Sequence, residues 1–208
     1  MYPKYFKDSD AAGLVFKLIE QEERLRQNTA HPLTRVSVRL DQLNFRRLQG
    51  LSTNFDFELL SPHIEDMDCS NNCSIVLKVT GTGPAGFSYL MTGDCENERW
   101  ETISRLFGSL LKSDVLAAAH HGSRNGAHPA SLLHIQPHTV LISAGVDSQY
   151  GHPDPQAVRV YAQVAEKVYS TNMQGGVSLM TSRGWNTFET KLIPNYRKDL
   201  RTSDLGSI

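Results

Sequence analysis

The chain has 208 residues, with 21 Lys plus Arg against 22 Asp plus Glu and a formal net charge of −1. That length supports one substantial hydrophobic core and calls for no second one, while near-neutral charge excludes a sequence-wide electrostatic grip on polyanions, so any attraction to nucleic acid must come from a local site. The amino terminus lacks a signal-peptide apolar stretch and no later segment is apolar for long enough to span a membrane, so a soluble, cytoplasmic chain with no membrane span is expected.

Residues 9–28 read as a helix capped by Ser9 or Asp10, with Leu14, Val15, Leu18 and Ile19 forming a stripe ahead of a charged stretch. His31-Pro32 ends that pattern, and residues 35–40 alternate polar and apolar side chains as a half-buried strand does. A second alternating run covers 55–60 and stops at Ser61-Pro62. Cys69, Cys73 and Cys95 are an odd set without paired spacing, which fits a reducing compartment. Cys69 and Cys73 stand four apart with no second pair at zinc-finger distance, so they read as ordinary thiols.

From Ser74 the pattern sharpens. Residues 74–79 and 87–91 are short apolar strands around Gly81-Thr82-Gly83-Pro84, a hairpin composition. A helix over 96–111 would bury Trp100, Ile103, Leu106, Phe107 and Leu110, and residues 114–119 form a continuously apolar strand. A short helix at 129–133, a strand at 139–143, a helix at 155–167 burying Val158, Tyr161, Ala162 and Ala165, and a strand at 168–170 continue the alternation. Residues 177–180 and 185–189 close with an antiparallel pair, and the tail after Pro194 is charged and aperiodic. Strands alternating with helices predict an α/β layered domain.

Four polar clusters fall at strand ends, where α/β folds carry their ligands. Thr92-Gly93-Asp94 puts a carboxylate at a strand terminus beside a glycine; its bland reading is a turn or a helix cap. His120-His121-Gly122-Ser123 follows the buried strand. Neutral imidazole is the commonest metal ligand, and alternation along an extended strand would let one of the two histidines face a metal while the other supports it. Tyr150-Gly151-His152-Pro153 precedes a helix that Asp154 can cap, so it reads either as a rigid turn or as a source of a proton donor or phosphate ligand in His152. Asn71-Asn72-Cys73-Ser74 precedes the first hairpin strand and offers amides, and Ser123 a hydroxyl, to the same cleft or simply to backbone groups.

In order, the runs N-N-C-S-I-V-L-K-V, F-S-Y-L-M-T-G-D, S-D-V-L-A-A-A-H-H-G-S, T-V-L-I-S-A-G, Y-G-H-P and V-Y-S-T-N-M-Q-G-G-V-S-L-M resemble the metallo-β-lactamase-fold hydrolases. More closely, they resemble the hydrolase domain attached to competence-type DNA-uptake channels and its free-standing relatives, over roughly residues 56–181. The resemblance implies an αβ/βα sandwich holding one or two zinc or manganese ions. It also implies Asp94 as bridging carboxylate, His120 or His121 as a late metal ligand with His121 favoured, and His152 near a substrate phosphate. Asn71 or Asn72 stands where many relatives place a further histidine.

The early H-x-H-x-D-H signature of that family does not occur in this sequence, and none of the eight histidines forms H-x-H. The expectation is therefore an incomplete sandwich: residues 1–54 of unclear role, 55–193 as the carboxyl-terminal part of the domain, and 194–208 as a tail. Three readings follow: a shortened copy of a longer product, a chain completed by a partner or by self-association, or a degenerate module that binds or regulates without catalysis. An exposed apolar sheet face would favour association. The functional expectation is a metal-dependent hydrolase acting on a phosphodiester such as nucleic acid, with the non-catalytic module as its competitor.

Overall fold

The computed structural model describes residues 2–3, 10–33, 37–38, 46–48, 50–63, 71–83, 86–181 and 188–193. Cys69, the Ser9 cap, most of the run at 35–40 and the tail from 194 lie outside the described residues.

In chain order the elements are β1 (Tyr2–Pro3), α1 (Asp10–Arg26), β2 (Ser37–Val38), β3 (Arg46–Leu48), β4 (Phe55–Ser61), β5 (Val76–Gly81), β6 (Ser88–Met91) and α2 (Asn97–Phe107). They continue with β7 (Val115–Ala117), α3 (Pro129–Ile135), β8 (Thr139–Ile142), α4 (Pro155–Val164), β9 (Lys167–Ser170), α5 (Thr171–Gln174), β10 (Gly176–Thr181) and β11 (Phe188–Ile193). Strands β3 to β9 form one seven-stranded sheet in sequence order. Its first four strands are antiparallel neighbours, whereas β6 through β9 are parallel. The expected α/β class is therefore a mixed sheet with helical crossovers.

The three parallel connections all step in the same direction, and right-handed crossovers that do so place their helices on one sheet face. Accordingly α2 packs on α3 and α3 on α4. Beneath them lies the main core, built from Val76, Leu90 and Leu116 of the sheet with Trp100, Ile103, Ile135 and Tyr161 of the helices. The opposite face carries a smaller cluster of Leu59 and Leu77 flanked by Leu48, Phe57 and Val79.

Several expectations shift. The helix expected over 96–111 breaks at Gly108 (φ 47°, ψ −120°) and continues as a 3₁₀ turn, Gly108–Leu111. The tighter turn rotates the register, so Leu111 is buried and the expected core residue Leu110 is exposed. In α4 the buried pair is Ala157 and Tyr161, four apart, and Ala162 faces out. Along α1 the apolar stripe of Leu14, Val15 and Leu18 is exposed. The closing antiparallel pair forms between β10 and β11, and residues 185–187 of the expected second strand lie outside the described residues. Among the described residues no helix is long and apolar enough to cross a membrane.

Candidate functional site

Parallel β6, β7 and β8 end at the same sheet edge, and β5, antiparallel to β6, begins there. That topology gathers Asn71-Asn72, Asp94, His120-His121 and the loop after β8, which carries His152. Carboxyl ends of adjacent strands are where open α/β sheets form their ligand crevices.

Local chemistry fixes each piece. Gly93 takes φ +54°, and a Cβ there would stand 2.9 Å from both Cβ and Oγ of Ser74. The missing side chain lets Ser74 Oγ accept the Asp94 amide at 2.9 Å. Thr92 is buried and its hydroxyl donates to Ala117 O at 2.9 Å, while the His120 amide donates to Gly93 O at 3.0 Å, tying the β6 and β7 tips together. The histidines do not prolong β7 as expected. Ala119–Gly122 is a 3₁₀ turn in which His120 (φ 51°, ψ 45°) and His121 (φ 56°, ψ 26°) are both left-handed, followed by Gly122 at φ +78°. Alternation along a strand therefore does not decide which imidazole faces the cleft. Two successive non-glycine residues in this conformation cost roughly 1–2 kcal/mol each, strain that persists where the surroundings over-determine it and that clusters at functional sites.

The turn sends the two imidazoles to different carboxylates. His121 Nε2 lies 3.6 Å from Asp94 Oδ1, with both side chains about half exposed. His120 Nδ1 lies 3.7 Å from Glu96 Oε1, both more enclosed. His121 Nδ1 contacts Ser143 O at 2.8 Å. A carbonyl oxygen only accepts, so Nδ1 is the donor, and in the neutral ring Nε2 presents its lone pair toward Asp94. A lone pair and a carboxylate oxygen facing each other repel unless a proton or a cation stands between them. Tetrahedral bonds of about 2.0–2.1 Å hold adjacent donors roughly 3.4 Å apart, close to the spacing seen here.

Glu96 was not among the residues singled out from sequence. Its carboxylate accepts Asn71 Nδ2 at 2.7 Å, and its amide donates to Asn72 Oδ1 at 3.1 Å. Both asparagines thus hold the start of α2 to the site edge. The available signal was its place two residues after Asp94, at the entrance to a helix. Ser123 is buried and its Oγ accepts the Asn125 amide at 3.2 Å, capping a short 3₁₀ turn.

His152 stands edge-on to His120 with ring centroids 5.5 Å apart, and Tyr150 stacks on His152 at 6.1 Å. The buried Nδ1 atoms of His120 and His152 make no hydrogen bond. Burial, then the neighbouring His120 and His121, hold the His152 pKa below its ordinary 6.5, against the opposing pull of Asp154 and Asp94. Asp154 caps α4, accepting from the Gln156 amide at 2.7 Å and the Ala157 amide at 3.3 Å, and its own amide donates to Gly122 O at 2.9 Å. A cleft of about 430 Å³ opens beside these rings, lined by His121, Ser143, Ala144, Gly145, Ser148, Tyr150 and His152. Among the described residues no three His, Cys, Asp or Glu side chains are grouped so as to hold a metal ion. Asp94 and His121 supply two donors, and a complete coordination shell would need others. Cys73 and Cys95, each next to a site residue in the chain, are buried.

No protein-family model matches the chain. It is similar to ComE operon protein 3 of Bacillus subtilis (strain 168), 32% identical over 135 residues, which cover 65% of this chain and 17% of that protein. Competence protein ComA of Neisseria gonorrhoeae is 30% identical over 129 residues, 62% of this chain and 18% of its own length. Recombination protein 2 of Haemophilus influenzae is 29% identical over 123 residues, 58% of this chain and 15% of its own length. The chain spans less than a fifth of each of these relatives.

Proposed function

We propose that this chain, similar to competence proteins over about two thirds of its length, is the carboxyl-terminal part of a metal-dependent phosphodiester hydrolase of the metallo-β-lactamase superfamily. The observation that carries the reading is the Asp94–His121 pair. Ser143 O orients the imidazole so that Nε2 faces Asp94 Oδ1 at 3.6 Å, a spacing suited to two ligands of one cation. Names built on competence and recombination favour nucleic acid as the substrate.

A bound zinc or manganese would lower the pKa of a water toward about 7 and polarise the phosphoryl group. Asp94 and His121 would hold that cation, and Ser74 and Gly93 position Asp94. His120 and Glu96 brace the tip, and His152, whose pKa is lowered by burial and then by the adjacent imidazoles, would face the substrate phosphate. The remaining donors and the second sheet layer come from a partner chain, a second copy or a further segment of polypeptide. Residues 1–54, 55–193 and 194–208 are the corresponding divisions, and a cytoplasmic location accords with the proposed chemistry.

One observation favours a second reading. With only two donors grouped among the described residues, the chain alone would bind metal weakly and could serve as a non-catalytic binding or regulatory module. Hydrolysis of bis(p-nitrophenyl) phosphate with added manganese or zinc separates the two. Turnover that is abolished in Asp94→Ala supports the hydrolase. A well-folded chain with neither turnover nor metal uptake supports the module.

A further inference from the structure

Tyr150 is the most exposed aromatic residue of the site edge, at 74% of its surface. An exposed ring on a loop would ordinarily be mobile and of little consequence, but the turn that carries this one is closed by hydrogen bonds and its ring stacks on a neighbour. The Ser148–Gly151 turn is closed by the Gly151 amide on Ser148 O at 3.0 Å and by the Tyr150 amide on Ser148 Oγ at 3.3 Å. Gly151 takes φ +68°, which a side chain would resist. One face of the ring rests on His152, with centroids 6.1 Å apart and planes inclined by 25°. His152 in turn abuts His120, and Tyr150 and His152 line the cleft that also contains His121.

The result is a preorganised aromatic platform one ring away from His120, with its outer face open. Its chemistry suits a planar heteroaromatic ring. Stacking gains come from desolvating two π faces, and a ring carried on a closed turn and stacked on one neighbour has less to order on binding than one on an open loop. Ser143 and Ser148 line the same cleft and bring polar groups to the edge of such a ring.

We propose that Tyr150 is a stacking platform for a nucleobase of single-stranded nucleic acid, seating the nucleotide next to the phosphodiester presented to Asp94 and His121. The placement beside a scissile phosphate rests on the hydrolase reading above; the stacking itself does not. A base paired within a duplex has its faces covered by its neighbours, so the platform selects unpaired strands.

The test is fluorescence anisotropy with the full chain in EDTA, using labelled dT10 and a decamer of the same length and charge built from abasic residues. Backbone electrostatics are common to both probes, so their difference reads base stacking. Stacking on one aromatic side chain corresponds to about 5- to 150-fold per base, and wild type is expected to prefer dT10 within that range. Tyr150→Ala should abolish the preference, Tyr150→Phe should keep it, and thermal midpoints should stay together because the side chain is exposed. Equal binding of the two probes, no binding of dT10, or a preference that survives Tyr150→Ala would overturn the proposal, as would a Tyr150→Phe variant that loses it. Hydrolysis of bis(p-nitrophenyl) phosphate is read separately. Its absence alongside a Tyr150-dependent base preference would leave the platform standing apart from the hydrolase reading.

Discussion

Replacing Gly122 by alanine tests how the histidine turn is anchored, because two separable costs meet there. The residue takes φ +78°, and an added Cβ would stand 2.8 Å from Pro153 Cβ and 2.9 Å from Ile142 Cγ2. Left-handed backbone costs an L residue roughly 1–2 kcal/mol. Carbon atoms prefer separations of about 3.5–4.0 Å, and crowding a packed site by one methyl costs about 1–3 kcal/mol. The total is about 2–5 kcal/mol, and for a chain of this size each kcal/mol lowers the thermal midpoint by roughly 2–4 °C. Gly151→Ala isolates the first cost, since φ is +68° and nothing lies within 4 Å of the built Cβ. Gly145→Ala is the blank, with open space and an ordinary φ, and should fall within about 0.5 kcal/mol of wild type. Urea unfolding followed by circular dichroism gives the three values. If Gly122→Ala and Gly151→Ala destabilise equally, the packing of Pro153 and Ile142 on the turn is not what fixes it and the reasoning fails.

Other outcomes follow from single contacts. Asp154→Ala removes the acceptor for two amides at the start of α4 and should cost about 0.5–2 kcal/mol in urea unfolding; no change would discount the cap. Ile103 is fully buried and Leu110 is 52% exposed, so Ile103→Ala should cost about 2–5 kcal/mol and Leu110→Ala well under 1. Equal losses would contradict the register set by the break at Gly108. Burial holds the His128 pKa below 6.5 despite the opposing pull of Glu101, and its Nδ1 accepts the Ser131 amide at the head of α3. The unfolded chain therefore takes up the proton first as pH falls. The stability tied to neutral His128 is present above pH 6.5 and declines as pH drops from there through the lower folded value. Urea midpoints between pH 7.5 and 5 should fall less steeply in His128→Asn, and parallel slopes would refute the assignment.

Where local pattern and tertiary structure agree, the sequence was sufficient. The apolar runs leading into Asp94 and His120 are adjacent parallel strands, as the alternation with helices implies, and Asp154 caps its helix as its position before Pro155 suggests. The failures have physical causes. The left-handed turn at His120 and His121 is not legible from residue type, because two successive left-handed non-glycine residues are uncommon even for histidine and its support comes from Gly93 O, 27 residues earlier in the chain. Glu96 joins the site because β5 and β6 bring Asn71 and Asn72 against the start of α2, a long-range consequence of strand order. Leu111 displaced Leu110 in the core because one glycine changed the helical period. The likeness of His121 to a metal ligand came from motif order. What motif order lacked was the carbonyl of Ser143, which fixes the tautomer.

The proposed function requires Asp94 and His121 to grip one cation. The most direct measurement is pulsed electron paramagnetic resonance of Mn²⁺ added to the purified chain labelled with ¹⁵N-histidine. The expected result is bound manganese with a coupled imidazole nitrogen, a coupling that disappears in His121→Ala but persists in His120→Ala, with uptake weakened at least tenfold in Asp94→Ala. Manganese that stays free in wild type, or a nitrogen coupling indifferent to His121, would contradict it.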